Sequence, residues 1–142
     1  MMKVIIVLRN IGPYHQSRFE SLVKANIKVY VFETRPASQE YLWTFSNSSK
    51  YKVIKFPKSN FREKDISNKE IDCFYKKNIS ISKPDVIVSV GWADRSYQRL
   101  LMYANSKKIP CMIVSDSIIK KENNKKRFFL KEIFILRSLL KT

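Results

Sequence analysis

Glycine is scarce in this chain, with two among 142 residues, Gly12 and Gly91. No complete glycine-rich phosphate loop can be assembled from them. Cysteine is equally sparse, and Cys73 and Cys111 stand far apart. Two such residues make neither a zinc site nor a disulfide framework, so reduced thiols and no metal are expected. Acidic residues are few, 12 against 28 Lys and Arg, which leaves a net charge of +16. A surface of that sign attracts nucleic acid, anionic lipid heads or phosphorylated substrates. A genome that favours Lys and Asn codons produces the same excess, so charge alone does not choose among them. Long apolar runs are missing too. The first one, up to Leu8, continues directly into Arg9 and is too short for a signal peptide or a membrane span. A cytoplasmic chain is expected.

What is present is a core and an alternating pattern. Apolar residues make up 44% of the chain, ordinary for a globular protein, and the length suits one domain over residues 1–142. Apolar, β-branched runs at residues 2–8, 27–32, 51–56, 85–90 and 110–114 read as strands. Helical periodicity appears over residues 14–25, with Phe19, Leu22 and Val23 on one face, and over 95–107, with Leu100, Leu101 and Tyr103. The best-defined helix start is a capping box, Ser67 with Glu70, flanked by Ile66 and Ile71. That helix buries Ile71, Phe74, Tyr75 and Ile79 and ends at Ser82-Lys83-Pro84. Residues 38–46 read as a short helical turn, 58–65 as a loop and 126–141 as a long last helix. The expected fold is α/β and Rossmann-like in three layers, with a parallel sheet of about five strands in the order 3-2-1-4-5. Its ligand crevice falls at the carboxyl ends of strands one and four.

Three polar segments follow apolar strands and meet at that crevice: residues 12–18, 91–95 and 115–117. In the first, Gly12 is expected to turn the backbone tightly and Pro13 to suit the first helical position. The helix terminus behind them favours an anion through its free N–H groups and dipole. His15 and Arg18 are donors to substrate oxygens or ordinary surface residues. Tyr14 directly precedes His15. Gly91 lets a ligand approach the backbone. Trp92 stacks on a sugar or base face or packs as a half-buried residue. Asp94 accepts hydroxyl hydrogen bonds or caps the helix after it, and Arg95 is expected to face solvent. Asp116 and Ser117 either contact a ligand or form a plain turn.

The series Gly12-Pro13-Tyr14-His15 with Arg18, Pro84-Asp85-Val86-Ile87-Val88, Gly91-Trp92, and Ile109-Pro110-Cys111-Met112-Ile113-Val114-Ser115-Asp116-Ser117 resembles the amino-terminal half of a GT-B fold glycosyltransferase. The similar group is the family 4 type, retaining and nucleotide-sugar dependent. The resemblance implies a Rossmann-like domain that mostly holds the acceptor, a glycan or a lipid-linked sugar. It implies substrate contacts at Gly12, Tyr14, His15, Arg18, Gly91, Trp92, Asp94, Asp116 and Ser117. His15 is the one candidate for a catalytic base, and binding is the favoured role because the family's retaining reaction does not rest on such a base. The nucleotide-sugar donor would sit mainly in a second domain that carries the family's E-x7-E motif, to which nothing here corresponds. Relatives often place a histidine near the end of the fifth strand, where this chain has Asp116 and Ser117. A truncated product, a split subunit or an amino-terminal fragment is therefore expected, inactive on its own and needing no cofactor.

Residues 120–142 are basic and amphipathic. Phe128, Phe129, Ile133, Ile135, Leu136, Leu139 and Leu140 fill a broad arc on which Glu132 intrudes, with Lys131, Arg137 and Lys141 opposite, among Leu130 and Phe134. That face either packs on the sheet or lies on an anionic membrane surface, which would make the protein peripheral on the inner face of a membrane. The competing class is a basic α/β module that binds nucleic acid or another polyanion. Against nucleic acid, basic residues are spread over all segments, with no helix-turn-helix, zinc or RNA-sheet signature. A receiver domain would need acidic residues where Arg9-Asn10 and Phe56-Pro57 stand.

Overall fold

The computed structural model describes residues 1–34, 50–57 and 66–114. The described elements are β1 (Lys3–Leu8), α1 (Pro13–Lys24), β2 (Lys28–Glu33), β3 (Lys52–Lys55), α2 (Asn68–Ser82), β4 (Val86–Val90), α3 (Arg95–Ser106) and β5 (Cys111–Val114). The five strands form one sheet in the order β3-β2-β1-β4-β5, and every neighbouring pair is parallel. The architecture is the expected α/β, Rossmann-like one. The turn expected at 38–46, the loop at 58–65 and the helix at 126–141 lie outside the described residues.

Alternation along the strands divides the core into two layers. Ile5, Val7, Tyr30, Phe32 and Ile87 point to one face, where Ile71, Phe74, Tyr75 and Ile79 of α2 and Tyr97, Leu100 and Ala104 of α3 cover them. Val4, Ile6, Leu8, Val29 and Val31 point to the other, against Phe19 of α1. Both faces of β1 and β2 are thus dry, which is why these strands read as continuous apolar runs. Each fully buried Ile, Val or Phe here contributes about 1.5–3 kcal/mol relative to exposure.

Local signals set the helix ends. Ser67 Oγ accepts from the Glu70 N–H, and Glu70 Oε2 accepts from the Ser67 N–H at 2.9 Å, closing the capping box. Ile66 and Ile71 both enter the core beside it. At the other end Lys83 adopts a left-handed conformation, φ 47°, ahead of Pro84. In α3 the buried stripe is Tyr97, Leu100 and Ala104, while Leu101 and Tyr103 are half-buried. The i, i+3, i+7 spacing selects this stripe, and Ala104 fits where a larger residue would hold the helix off the sheet.

Candidate functional site

In a parallel sheet of this order, the connections after β1 and β4 leave neighbouring strands in opposite directions and open a crevice at the carboxyl edge. The β1–α1 connection is held firmly. Ile11 is buried, and its N–H donates to Glu33 Oε1 at 2.9 Å. The Thr34 N–H donates to the Leu8 carbonyl at 2.9 Å. Glu33 is 4% exposed, and Lys55 Nζ lies 3.9 Å from its other oxygen. Burial pushes its carboxyl up, against the Ile11 N–H and Lys55, which favour the charge. Sequence reasoning missed Glu33. Its signal was an acidic residue closing an otherwise apolar strand.

At the start of α1 the helix caps itself. Gly12 is the N-cap, with φ −93° and ψ 167°. Any residue adopts this backbone, so the tight turn expected of Gly12 is not what requires a glycine. A Cβ there would lie 3.2 Å from Tyr14 Cε1, so the small residue makes room for the tyrosine ring. Pro13 takes the first helical position as expected. The Gly12 N–H donates to His15 Nδ1 at 2.9 Å, and the His15 N–H donates to the Gly12 carbonyl at 3.0 Å. Pro13 has no N–H. The expected anion cradle of free backbone donors is therefore largely consumed within the protein.

An accepting Nδ1 leaves the proton of neutral His15 on Nε2, so the ring offers an N–H donor rather than a base. Burial, and secondarily the nearby Arg18 charge, lower its pKa below the ordinary value. The rings of Tyr14 and His15 lie 3.9 Å apart, and the Arg18 guanidinium sits 5.6 Å over the Tyr14 ring. Tyr14 is 61% exposed. Together these three side chains form an aromatic and cationic cluster on the first turns of α1, with the two rings tilted 37° to each other.

The β4–α3 connection is shaped by Gly91, whose φ of 112° is the one positive value at a glycine among the described residues. Its N–H donates to the Val114 carbonyl at 2.9 Å, and Ser89 Oγ donates to the Gly91 carbonyl at 2.7 Å. Trp92 follows, half-buried. Asp94 occupies the N-cap position of α3 but makes no side-chain cap. Its oxygens instead accept from Arg9 Nε at 2.6 Å and Nη2 at 2.5 Å. Asp94 is 8% exposed, while the Arg9 side chain that grips it with both nitrogens remains largely exposed. It ties the end of β1 to the start of α3 and draws the two connections to one edge. Arg9, which sequence reasoning left outside the site, is thus part of its frame. Arg95 is half-buried rather than solvent-facing, and its guanidinium donates to the Ile66 carbonyl. Asp116 and Ser117 lie outside the described residues.

Two shallow cavities lie elsewhere. One, of about 240 Å³, sits between α2 and α3 and is lined by Asp72, Lys76, Arg99, Met102 and Tyr103. The other, of about 230 Å³, lies near the start of β5 beside Leu101, Asn105 and Cys111. Neither is at the carboxyl edge. Among the described residues no His, Cys, Asp or Glu cluster is fit to hold a metal, and no helix is long and apolar enough to cross a membrane. Cys73 and Cys111 are both free thiols.

The chain matches no protein-family model and no curated protein. Among solved structures it is similar to the Bordetella bronchiseptica enzyme WbmH in complex with NAD+, at 14% identity and a TM-score of 0.46, over 77% of this chain and 36% of that one. It is also similar to the Shewanella denitrificans Kef CTD in AMP bound form, at 14% identity and a TM-score of 0.48, over 99% of this chain and 83% of that one. Likenesses of this size carry no assignment of function.

Proposed function

We propose that this chain is the acceptor-binding domain of a nucleotide-sugar-dependent glycosyltransferase of GT-B type, with its sugar site at the carboxyl edge of β1 and β4. The observation that carries the location is the Arg9–Asp94 pair, which brings the two connections together at the point where the chain changes direction across the sheet. The sequence resemblance supports the reaction class. In this reading the His15 Nε2–H donates to a sugar hydroxyl, and the Tyr14–Arg18 surface and Trp92 lie against sugar faces. Gly91 admits the substrate beside the backbone, and Asp116 and Ser117 are further candidates for substrate contact. Consumption of the α1 terminal donors by His15 and Pro13 favours a hydroxyl-rich ligand over a bare phosphate. Asp94 acts by holding Arg9 rather than by meeting substrate. Transfer itself needs a donor-side domain to stabilise the departing diphosphate. The isolated chain is expected to bind acceptor and to transfer little sugar.

Calorimetry with a panel of alkyl glycosides and nucleotide sugars tests this reading. Glycoside binding that weakens several-fold in His15→Ala and Trp92→Ala supports it. The competing reading, a polyanion-binding module, predicts affinity for DNA or heparin with a steep loss on adding salt and no effect of either substitution. In this reading Leu130, Phe134 and the lysines of residues 120–142 attach the protein to the inner face of a membrane. Binding to anionic but not neutral vesicles checks that attachment.

A further inference from the structure

Lysines are scattered along the sequence, but the fold gathers them. In a parallel sheet with helical crossovers, strand starts and helix ends all return to the amino edge, opposite the crevice. Lys28 and Lys52 open β2 and β3, and Lys24 closes α1. Lys83 and Lys107 are the C-caps of α2 and α3, and Lys108 follows. All six are exposed, and among the described residues none of them is ion-paired. Asp85, just before β4, is the one described carboxylate at this edge; Glu20, farther up α1, is taken by Lys50. The described arginines, Arg9, Arg18, Arg95 and Arg99, all lie in the half nearer the crevice. Two apolar side chains share the amino edge, Met2 at 49% and Ile81 at 64% exposure. The Lys28 N–H donates to the Met2 carbonyl at 2.8 Å, and the Lys3 N–H donates to Asp85 Oδ2 at 2.7 Å, which ties the start of β1 to the segment leaving α2.

We propose that this amino edge docks on an anionic lipid bilayer, its lysines meeting headgroup phosphates while Met2 and Ile81 enter the interface. Lysine suits a charged surface because it acts as a point charge on a flexible apolar stem and needs no bidentate geometry. A nucleic acid would be gripped by arginine forks and stacking rings instead. This edge offers neither: Tyr14, near the crevice, is the one exposed aromatic among the described residues. Docked this way, the sheet stands on the membrane with its strands pointing outward. The carboxyl crevice then opens about 20 Å from the headgroups, the length of a six-residue strand such as β1. This surface needs neither residues 120–142 nor a sugar site.

Co-flotation of the full chain with vesicles of phosphatidylglycerol and phosphatidylcholine tests the docking. A lysine close to such a surface is worth about fivefold in partitioning, so Lys24→Gln with Lys107→Gln should weaken binding about 25-fold. The same charge change at Lys55→Gln with Lys69→Gln, more than a Debye length farther out, should weaken it by less than about threefold. Met2→Gln with Ile81→Gln should weaken binding to vesicles and leave retention on heparin unchanged. Circular dichroism checks that each variant folds. Equal losses from the two lysine pairs overturn the proposal, because total charge and not this edge would then decide. Binding that survives Lys24→Gln with Lys107→Gln but is abolished by Lys131→Gln with Arg137→Gln overturns it too, in favour of residues 120–142 alone. A chain that ignores the vesicles overturns it outright, and retention on heparin in that case points to a polyanion partner.

Discussion

The two glycines make opposite predictions. At Gly91 the φ of 112° lies where L-residues rarely go, and a Cβ would meet Tyr97 at 3.3 Å from Cε2 and 3.5 Å from Cδ2. Tyr97 is 2% exposed and has little room to withdraw. Backbone strain of this kind costs about 1–3 kcal/mol. The lower entropy of the unfolded alanine chain returns about 0.4–1 kcal/mol. The steric contact with Tyr97 adds to the loss. The expected outcome for Gly91→Ala is a destabilisation of about 2 kcal/mol, roughly a 30-fold fall in the folded-to-unfolded ratio. For a domain of this size that lowers the urea midpoint by about 1 M. At Gly12 the backbone is open to any residue, and the crowded Tyr14 ring is exposed and free to turn. Gly12→Ala should therefore change stability by no more than about 0.5 kcal/mol, with entropy and crowding offsetting each other. Urea unfolding followed by far-ultraviolet circular dichroism reads both. Equal midpoints for the two variants, or a Gly91→Ala protein as stable as the parent, would refute the reasoning.

Three further outcomes follow from the site. The folded-state pKa of His15 lies below its ordinary value of 6.5, so its contribution is complete above pH 6.5 and is lost as pH falls toward the folded value. That of Glu33 lies above 4.5, so its contribution is present below 4.5 and lost as pH rises through the folded value. Urea midpoints across pH should accordingly flatten on the acid side in His15→Asn, and Glu33→Gln should gain on the parent at neutral pH relative to acid. Arg9→Ala removes two hydrogen bonds from a buried carboxylate and should cost about 1–2 kcal/mol, while Arg9→Ala with Asp94→Ala should cost less than the two single changes summed, as a double-mutant cycle measures. Cys73 is exposed and Cys111 is half-buried with its thiol pushed up to about 11, so a disulfide reagent at neutral pH should titrate one thiol quickly and the second only on unfolding.

Strand order and helix positions were legible because apolar runs, a capping box and Pro or Gly stops are local signals. Shifts at the boundaries have specific causes. Tyr51 and Phe56 are buried and apolar, yet they flank the paired segment of β3 rather than extending it. Glu33 lengthens β2 because its carboxylate is satisfied by the Ile11 N–H. The candidate crevice was legible as a place, since it depends on strand order, but not in its wiring. Arg9 and Asp94 are 85 positions apart in sequence, and nothing near either one signals the other. Hence Asp94 read as a cap or ligand contact, while its carboxylate is taken by Arg9. Likewise the free N–H groups expected at α1 are occupied through His15, whose bond to Gly12 depends on a ring rotamer that sequence does not encode.

The most direct test of the account is to map ligand contacts on the carboxyl edge of the sheet. In an amide chemical-shift titration with alkyl glycosides at moderate salt, the account predicts perturbations concentrated at Gly12, Tyr14, His15, Arg18, Gly91 and Trp92. Perturbations centred instead on Asp72, Lys76 and Arg99 between α2 and α3, or spread over exposed lysines and abolished by salt, would contradict it.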